Sequence, residues 1–231
     1  MKVLVIPDIH LKPYLFKQAA EYIHQGLADQ AVCLMDIADD WNKQYDLELY
    51  KETYDAAIEF AKKFPDTLWC YGNHDLSYIW ELRESGYSFS AAYLVKQKLT
   101  ELKEVADIRY VHKIDHVLFS HGGLSKQFVE SYVPHSKYHD IDYVVDSINQ
   151  LEQEEMWQDE SPIWLRPQYS YSCLYKPRKL LQVVGHTPVK NIERKGNLIS
   201  CDVFSTYFDG TPIGSEEFLL LDTLTWKFKR I

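Results

Sequence analysis

The stretch Val-Leu-Val-Ile-Pro-Asp-Ile-His at residues 3–10 joins an apolar run to two side chains that can bind a metal ion. Four consecutive apolar residues without alternation are typical of a strand that is buried on both faces of its sheet. Asp8 and His10 follow at the point where this strand ends. The stretch therefore predicts a central strand with polar ligands at its carboxyl end.

The same order, an apolar run followed by polar side chains, occurs at four further places. The runs 31–35, 67–71, 117–120 and 180–184 lead to Asp36, to Asn73 and His74, to His121 and to His186, respectively. In α/β sheets, ligands bind in the crevice beyond the carboxyl ends of the strands. If these strands are neighbours, we expect their polar side chains to converge on one site.

Segments with helical spacing of apolar residues separate the predicted strands. Helices are expected over 14–25, 50–64 and 92–102 and near 124–132 and 142–155, and short strands over 107–113, 189–194, 197–204, 216–221 and 225–229. This alternation predicts a layered α/β fold. We interpret the aromatic, proline-interrupted segment 157–178 as a loop near the site and residues 1–231 as a single domain.

The donor atoms of the predicted site are nitrogen and oxygen, without a thiolate. Such donors suit divalent manganese, iron, zinc, nickel or cobalt. The donors are six side chains, those of Asp8, His10, Asp36, Asn73, His121 and His186. Six are too many for one catalytic metal that keeps an open position, but they suit two metals that share a carboxylate.

Five short blocks surround these side chains. They are Asp8-Ile9-His10, Asp36-Ile37-Ala38-Asp39, Gly72-Asn73-His74-Asp75, His121-Gly122-Gly123-Leu124 and Gly185-His186-Thr187. As a set they resemble the calcineurin-like metallophosphoesterases, and the last two most resemble the serine/threonine protein phosphatase branch. That branch includes bacterial protein phosphatases and symmetrical dinucleoside tetraphosphatases. The resemblance implies a four-layer α/β/β/α sandwich of two mixed sheets flanked by helices.

The resemblance also implies a role for each side chain. Two divalent metals would be held by Asp8 and His10 on the first, Asp36 as the bridge, and Asn73, His121 and His186 on the second. His74 would protonate the leaving oxygen, with Asp39 as its orienting partner. A metal-bound hydroxide would attack phosphorus, so the implied activity is hydrolysis of a phosphate ester, with manganese, iron or zinc as the expected metals.

Two departures from the family pattern concern phosphate binding. The second block usually reads G-D-x-x-D-R-G, but Met35 replaces its first glycine, and Asp40 and Trp41 replace Arg-Gly. The arginine expected shortly after the third block is also missing from the sequence. Arg166, in a Trp-Leu-Arg segment, resembles the W-x-R segment of the bacterial branch. We predict that it binds substrate, because a guanidinium is a bidentate partner for phosphoryl oxygens.

Three functional hypotheses follow. The first is a phosphomonoesterase of protein-phosphatase type. The second is a phosphodiesterase or dinucleoside polyphosphate hydrolase, because the two missing arginines remove the reason to prefer a dianionic monoester. The third is a catalytically silent binding module, which the presence of all six ligands, His74 and Asp39 disfavours.

The charge of the chain limits its partners. With 25 Lys and Arg against 34 Asp and Glu, the net charge of −9 argues against a broad nucleic-acid surface. Residues 161–200 nevertheless contain seven basic residues and one glutamate, a net of +6. An anionic substrate such as a phosphoprotein, nucleotide or small phosphoester is therefore expected. No apolar stretch approaches the roughly 20 residues of a membrane helix, and we expect a cytoplasmic protein that does not bind membranes.

Overall fold

A computed structural model describes residues 1–169, 173–176 and 178–231. Its strands form two sheets. The first sheet has the order Phe228–Arg230 (β11), Leu219–Asp222 (β10), Lys2–Ile6 (β1), Gln30–Cys33 (β2), Leu68–Cys70 (β3) and Asp107–Arg109 (β4). Strands β1 to β4 run parallel, whereas β10 pairs antiparallel with both β1 and β11. This sheet is therefore mixed.

The second sheet has the order Val111–Ile114 (β5), Val117–Ser120 (β6), Leu181–Val184 (β7), Leu198–Ser200 (β9) and Glu193–Lys195 (β8). Strands β6, β7 and β9 are parallel, and the two edge strands are antiparallel to their neighbours. It too is a mixed sheet, which confirms the predicted fold class of two mixed sheets flanked by helices.

The helices are Tyr14–His24 (α1), Leu47–Lys63 (α2), Asn73–Trp80 (α3), Ala92–Lys103 (α4), Lys126–Tyr132 (α5), Ile141–Ile148 (α6) and Gln153–Met156 (α7). Helix α1 contacts β1 and packs against α2, which in turn packs against α4; α6 contacts β5 of the second sheet. No helix within the described residues has the length and apolar character needed to cross a membrane.

Local sequence accounts for most element bounds. The four residues Val3–Ile6 are fully buried between β2 and β10, as their uninterrupted apolar run predicts. Helix α2 begins after Asp46, whose carboxylate accepts a hydrogen bond from the backbone N–H of Leu49. It ends at Lys63, shortly before Pro65, which cannot donate a helical hydrogen bond.

The strand expected over 189–194 is shorter and begins only at Glu193, and three further elements differ from the predictions. The predicted strand 107–113 is divided at Tyr110 into β4 and β5, which belong to different sheets. The chain is held at this crossing by Asn149, whose side-chain oxygen accepts hydrogen bonds from the N–H groups of Tyr110 and Val111 at 2.9 and 3.0 Å. Asn149 also ends α6, so the predicted helix 142–155 is two helices. Helix α3, which begins directly after β3, was not predicted.

The predicted aromatic loop 157–178 contains turns and short bends in its described part. Trp157 and Trp164 pack edge to face with ring centroids 5.0 Å apart. Tyr171, which contributed to the prediction of this loop, lies outside the described residues.

Candidate metal centre

The carboxyl ends of β1, β2 and β3 lie at one edge of the first sheet because these strands are parallel neighbours. Strands β6 and β7 likewise end together in the second sheet. The turns after these five strands bring together all six predicted ligand side chains, those of Asp8, His10, Asp36, Asn73, His121 and His186. The site therefore lies where the edges of the two sheets meet.

The donor atoms form two groups that share one residue. In each group the donor atoms lie within 4.8 Å of one another: the first comprises Asp8, His10 and Asp36, and the second Asp36, His121 and His186. Asn73 adjoins the second group, since its Oδ1 is 3.1 Å from Nε2 of His121. One carboxylate common to two donor groups is the arrangement that two adjacent cations require.

One donor atom shows that these residues fit a cation. Oδ2 of Asp8 is buried and has no hydrogen-bond partner among the described residues. A buried polar atom without a partner costs free energy, and a carboxylate costs more than a neutral group. A divalent cation would satisfy this oxygen, and the oxygen and nitrogen donors around it suit such a cation.

Glycines next to the ligands provide the space for their carboxylates. A Cβ atom at Gly72 would overlap with Oδ1 of Asp36, and one at Gly185 would overlap with Oδ2 of Asp8. The backbone also fixes both carboxylates: the N–H of His74 donates to Asp36 at 3.0 Å and the N–H of His186 to Asp8 at 2.8 Å. Any larger residue at either glycine position would displace a ligand.

Backbone carbonyls orient two of the imidazoles. Nδ1 of His10 donates to the carbonyl of Asp39, and Nδ1 of His121 donates to the carbonyl of Leu34, both at 2.9 Å. Because a carbonyl only accepts, Nδ1 carries the proton in each ring and Nε2 is left as the donor for a metal.

The turns that carry the ligands are strained. Left-handed φ angles between 42° and 65° occur at His10, Met35, Asp36, Asp39 and His186. Residues other than glycine rarely adopt this region, and such strain is typical of functional sites. The close approach of the ligands is therefore maintained against a local conformational cost.

Burial and neighbouring charges shift the pKa values of the ligands in opposite directions. Burial and the neighbouring Asp202 raise the pKa of Asp8 well above its usual range. Burial also lowers the pKa of His186 well below that of a free imidazole, with His121 and Arg166 adding to the effect. For His121, by contrast, Asp36 and Asp8 outweigh burial and raise the pKa to about 9. These opposed shifts follow from packing several ionisable groups together at one buried site.

His74 and Asp39 form a pair beside the two donor groups. Nδ1 of His74 is 2.9 Å from Oδ2 of Asp39, and Oδ1 of Asp39 accepts from the hydroxyls of Tyr50 and Tyr78 at 2.6 and 2.5 Å. Burial alone would lower the pKa of His74, but Asp36 and Asp39 outweigh it and raise the pKa to about 9. Asp39 therefore fixes the position of the imidazole at the pocket wall, and the raised pKa allows the ring to carry a proton.

Arg166 lines the same pocket. Its Nη1 donates to the carbonyl of His186 at 3.0 Å and to the hydroxyl of Thr187 at 3.1 Å. These contacts hold the guanidinium beside the second donor group. Asp40, which stands where the family has an arginine, is 3.1 Å from Nζ of Lys12, so its charge is paired.

Asp202 is a site residue that was not predicted. It is buried, lines the pocket, and accepts a hydrogen bond of 2.6 Å from the hydroxyl of Ser205. Burial raises its pKa. It follows the mainly apolar stretch Leu198–Cys201 near the end of β9, so the strand-end pattern that identified the other carboxylates also applies to it.

Comparisons with known proteins agree with this geometry. The family model described as calcineurin-like phosphoesterase matches residues 1–212. The cold-active protein-tyrosine phosphatase of a psychrophilic Shewanella species is 17% identical, with a TM-score of 0.60 over 99% of this chain and 80% of that chain. A metallophosphoesterase from Sphaerobacter thermophilus is 15% identical, with a TM-score of 0.50 over 100% of this chain and 88% of that chain. These two likenesses show a shared fold.

None of the curated proteins compared with the chain matches it significantly. The family model nevertheless extends over most of the sequence and contains all five ligand-bearing turns. The protein belongs to the calcineurin-like phosphoesterase family and is a metal-dependent hydrolase.

Proposed function

We propose that the protein is a two-metal phosphatase that hydrolyses phosphate monoesters. In this proposal Asp8 and His10 bind one divalent cation, Asn73, His121 and His186 bind the other, and Asp36 bridges them. Manganese, iron or zinc suits these donors. Residues 1–231 would act as one metallophosphoesterase domain.

The observation that carries the proposal is the position of Asp36 in both donor groups. Two cations that share this carboxylate would lie close enough to bind one phosphoryl group between them. The buried Oδ2 of Asp8, which has no hydrogen-bond partner among the described residues, supports a cation at the first group. The dimetal dependence of the family is a further support.

Side chains beside the metal ligands would donate a proton to the leaving group and orient the phosphoryl group. Two divalent cations, when bound, supply an activated water and positive charge at the phosphoryl oxygens. His74, held through Nδ1 by Asp39, has Nε2 available to give a proton to the leaving oxygen. Arg166, at the pocket wall, has guanidinium N–H groups available to orient the phosphoryl oxygens.

A monoester substrate is supported by a cluster of positive charge that a dianion would satisfy: two cations, Arg166 and protonated His74. The Shewanella relative, described as a protein-tyrosine phosphatase, acts on a monoester of this kind. A second candidate is a phosphodiesterase or dinucleoside polyphosphate hydrolase. Glu84, a further carboxylate at the pocket wall, favours a phosphodiester within this second candidate because a diester carries one negative charge fewer than a dianionic monoester.

A comparison of turnover on three substrates tests the proposal. Manganese-loaded protein is assayed with a phosphopeptide, bis-nitrophenyl phosphate and a dinucleoside tetraphosphate. We expect the highest kcat/KM on the phosphopeptide. A higher value on either of the others would support the second candidate, and no turnover with manganese, iron or zinc would contradict both.

The acid role of His74 has its own test. A His74→Ala variant is expected to lose about 10²- to 10⁴-fold in kcat on an alkyl phosphate, the usual contribution of a general acid. It should lose much less on nitrophenyl phosphate, whose leaving group needs little protonation. Equal losses on both substrates would contradict the assignment.

A further inference from the structure

Three large aromatic side chains are exposed at the mouth of the metal pocket. Trp41, Tyr207 and Phe208, here called the aromatic wall, are 47%, 53% and 67% exposed and line the same pocket as Asp36 and His74. The pocket has a volume of about 400 Å³, in the range of small-molecule sites. Adjacent apolar rings at a pocket mouth mark a contact surface, because their exposure to water is unfavourable.

Hydrogen bonds between two turns fix the position of the aromatic wall. The indole N–H of Trp41 donates to the carbonyl of Thr206 at 3.0 Å, and Nδ2 of Asn42 donates to the carbonyl of Phe208 at 2.8 Å. The hydroxyl of Thr206 donates to Asp40 at 2.8 Å. These bonds occupy the indole N–H and the backbone while leaving ring faces exposed, so the wall is ordered before any ligand arrives.

The two turns also set the packing of the rings. The centroids of Trp41 and Phe208 are 5.9 Å apart, and their planes are inclined by 61°. In this edge-to-face arrangement one ring supports the other without covering both of its faces. A third flat ring therefore has an aromatic surface against which to stack.

The position of the wall relates it to the leaving group. Trp41 lies two residues after Asp39, the partner of His74, and lines the same pocket as His74. In the proposed function, His74 protonates the leaving oxygen inside this pocket, so the group attached to that oxygen would extend from His74 toward the pocket mouth, where the exposed rings lie. The aromatic wall is thus placed to contact the leaving group rather than the phosphoryl group.

The charges around the wall indicate what kind of leaving group it takes. Asp40 and Glu84 line the pocket beside it, whereas Arg166 is the only lysine or arginine among the described residues that line the pocket. Lys12 pairs the charge of Asp40, but a leaving group with additional negative charge, such as a polyphosphate, would meet repulsion from Glu84. A neutral ring would not.

We propose that the aromatic wall binds a neutral, planar aromatic ring on the leaving group of the substrate. This inference rests on the proposed function, because it takes the phosphoryl group to lie at the metal pair. The ring stacks on Trp41 and Phe208. Its source is either an aryl group attached directly to the ester oxygen or a nucleobase carried on a ribose.

Binding of phosphonates, which are not hydrolysed, tests the inference separately from catalysis. Dissociation constants are measured by calorimetry on manganese-loaded protein for phenylphosphonate and methylphosphonate. The second pair is an adenosine 5′-methylenephosphonate and the ribose 5-methylenephosphonate without the base. We expect the ring-bearing member of at least one pair to bind about tenfold more tightly, in keeping with aromatic stacking. The pair that shows the preference identifies the source of the ring.

Substitutions of wall residues then test whether the preference for the ring-bearing phosphonate arises at the aromatic wall. Trp41→Leu and Phe208→Leu should each reduce the ratio of the two dissociation constants toward one. Tyr93→Leu, which removes an aromatic ring 82% exposed on α4, should keep the wild-type ratio. Equal binding within both pairs, or a preference that survives both wall substitutions, would overturn this inference alone. A protein that binds none of the four phosphonates would overturn the proposed function as well.

Discussion

Asp39 and His74 form a buried pair in which Oδ2 of the carboxylate lies 2.9 Å from Nδ1 of the imidazole. The other carboxylate oxygen accepts hydrogen bonds from two tyrosine hydroxyls, those of Tyr50 and Tyr78. Burial and the Asp39 carboxylate raise the pKa of both hydroxyls, so both remain neutral donors. Because both oxygens are held, Asp39 presents one fixed acceptor to His74.

We expect the double substitution of Tyr50 and Tyr78 by Phe to weaken catalysis through His74. Without the hydroxyls, Asp39 is free to turn and no longer fixes the imidazole. The predicted loss in kcat is about tenfold on an alkyl phosphate, a fraction of what a general acid contributes. On nitrophenyl phosphate we expect little loss. Steady-state kinetics on the two substrates measures the difference.

Tyr54→Phe is the matched control for this variant. Tyr54 is also a buried tyrosine of α2, but its hydroxyl donates to Asp75 at 3.0 Å and not to Asp39. Its removal should lower thermal stability without making the rate depend more strongly on the leaving group. If the control and the double variant showed the same leaving-group dependence, the positioning role of the tyrosine pair would be wrong.

Gly72→Ala should weaken metal binding. Its backbone φ of −91° suits alanine, so the effect comes from space alone, since the new methyl group would overlap with the carboxylate of Asp36. We expect a loss of about 10- to 100-fold in metal affinity, as for other residues that support metal ligands. Titration of the protein with manganese measures it.

Gly26→Ala separates this effect from general destabilisation. Gly26 has a φ of +70° and no atom within 4 Å of an added Cβ. Alanine there should cost about 1–2 kcal/mol of stability through its left-handed backbone while leaving metal affinity unchanged. Unchanged affinity in Gly72→Ala would contradict the assignment of Asp36 as a ligand.

Arg166→Ala should lower kcat/KM by about 10- to 100-fold, the usual range for a lost hydrogen bond to a charged group. Arg166→Lys should recover only part of this loss. The lysine ammonium keeps the positive charge but lacks the several N–H groups of a guanidinium. Arg166 can use some of these groups to contact phosphate while Nη1 donates to His186 and Thr187. Arg178→Ala, at another exposed arginine, is the control. The control should keep wild-type activity. An unchanged kcat/KM in Arg166→Ala, or an equal loss in both variants, would contradict the prediction.

Removal of the metals should destabilise the folded protein. Ligands that bind only the folded state stabilise it, and the buried carboxylates of Asp8 and Asp36 repel each other without cations. We expect chelation to lower the Tm by roughly 5–15 °C, and added manganese to restore it. A Tm that does not change when the metal content falls to zero would contradict this prediction.

The strands and their ligands could be predicted because one local pattern encodes both. A mainly apolar run specifies a buried strand, and the residues immediately after it lie at the sheet edge. This held for β1, β2, β3, β6 and β7, whose following residues meet at the site. The same pattern at β9 leads to Asp202, which a wider application of the rule would have included.

Other features depend on packing that local sequence does not encode. The run 107–113 reads as one strand, and its division between two sheets depends on the distant Asn149. Tyr50 was predicted as one apolar member of a helical stripe, which is correct for its ring, whereas the partner of its hydroxyl follows from the tertiary fold. The aromatic wall was not predicted either, because Trp41 and Phe208 are 167 residues apart in the sequence.

Metal content and activity of Asp36→Asn, compared with the wild type, test the two-metal site most directly. Both proteins are loaded with manganese, separated from free metal and analysed by plasma mass spectrometry. The bridging assignment predicts about two ions per chain in the wild type. In Asp36→Asn it predicts fewer than about one ion, with nearly all activity on nitrophenyl phosphate lost. A variant that retains the wild-type metal content together with wild-type turnover would contradict the account.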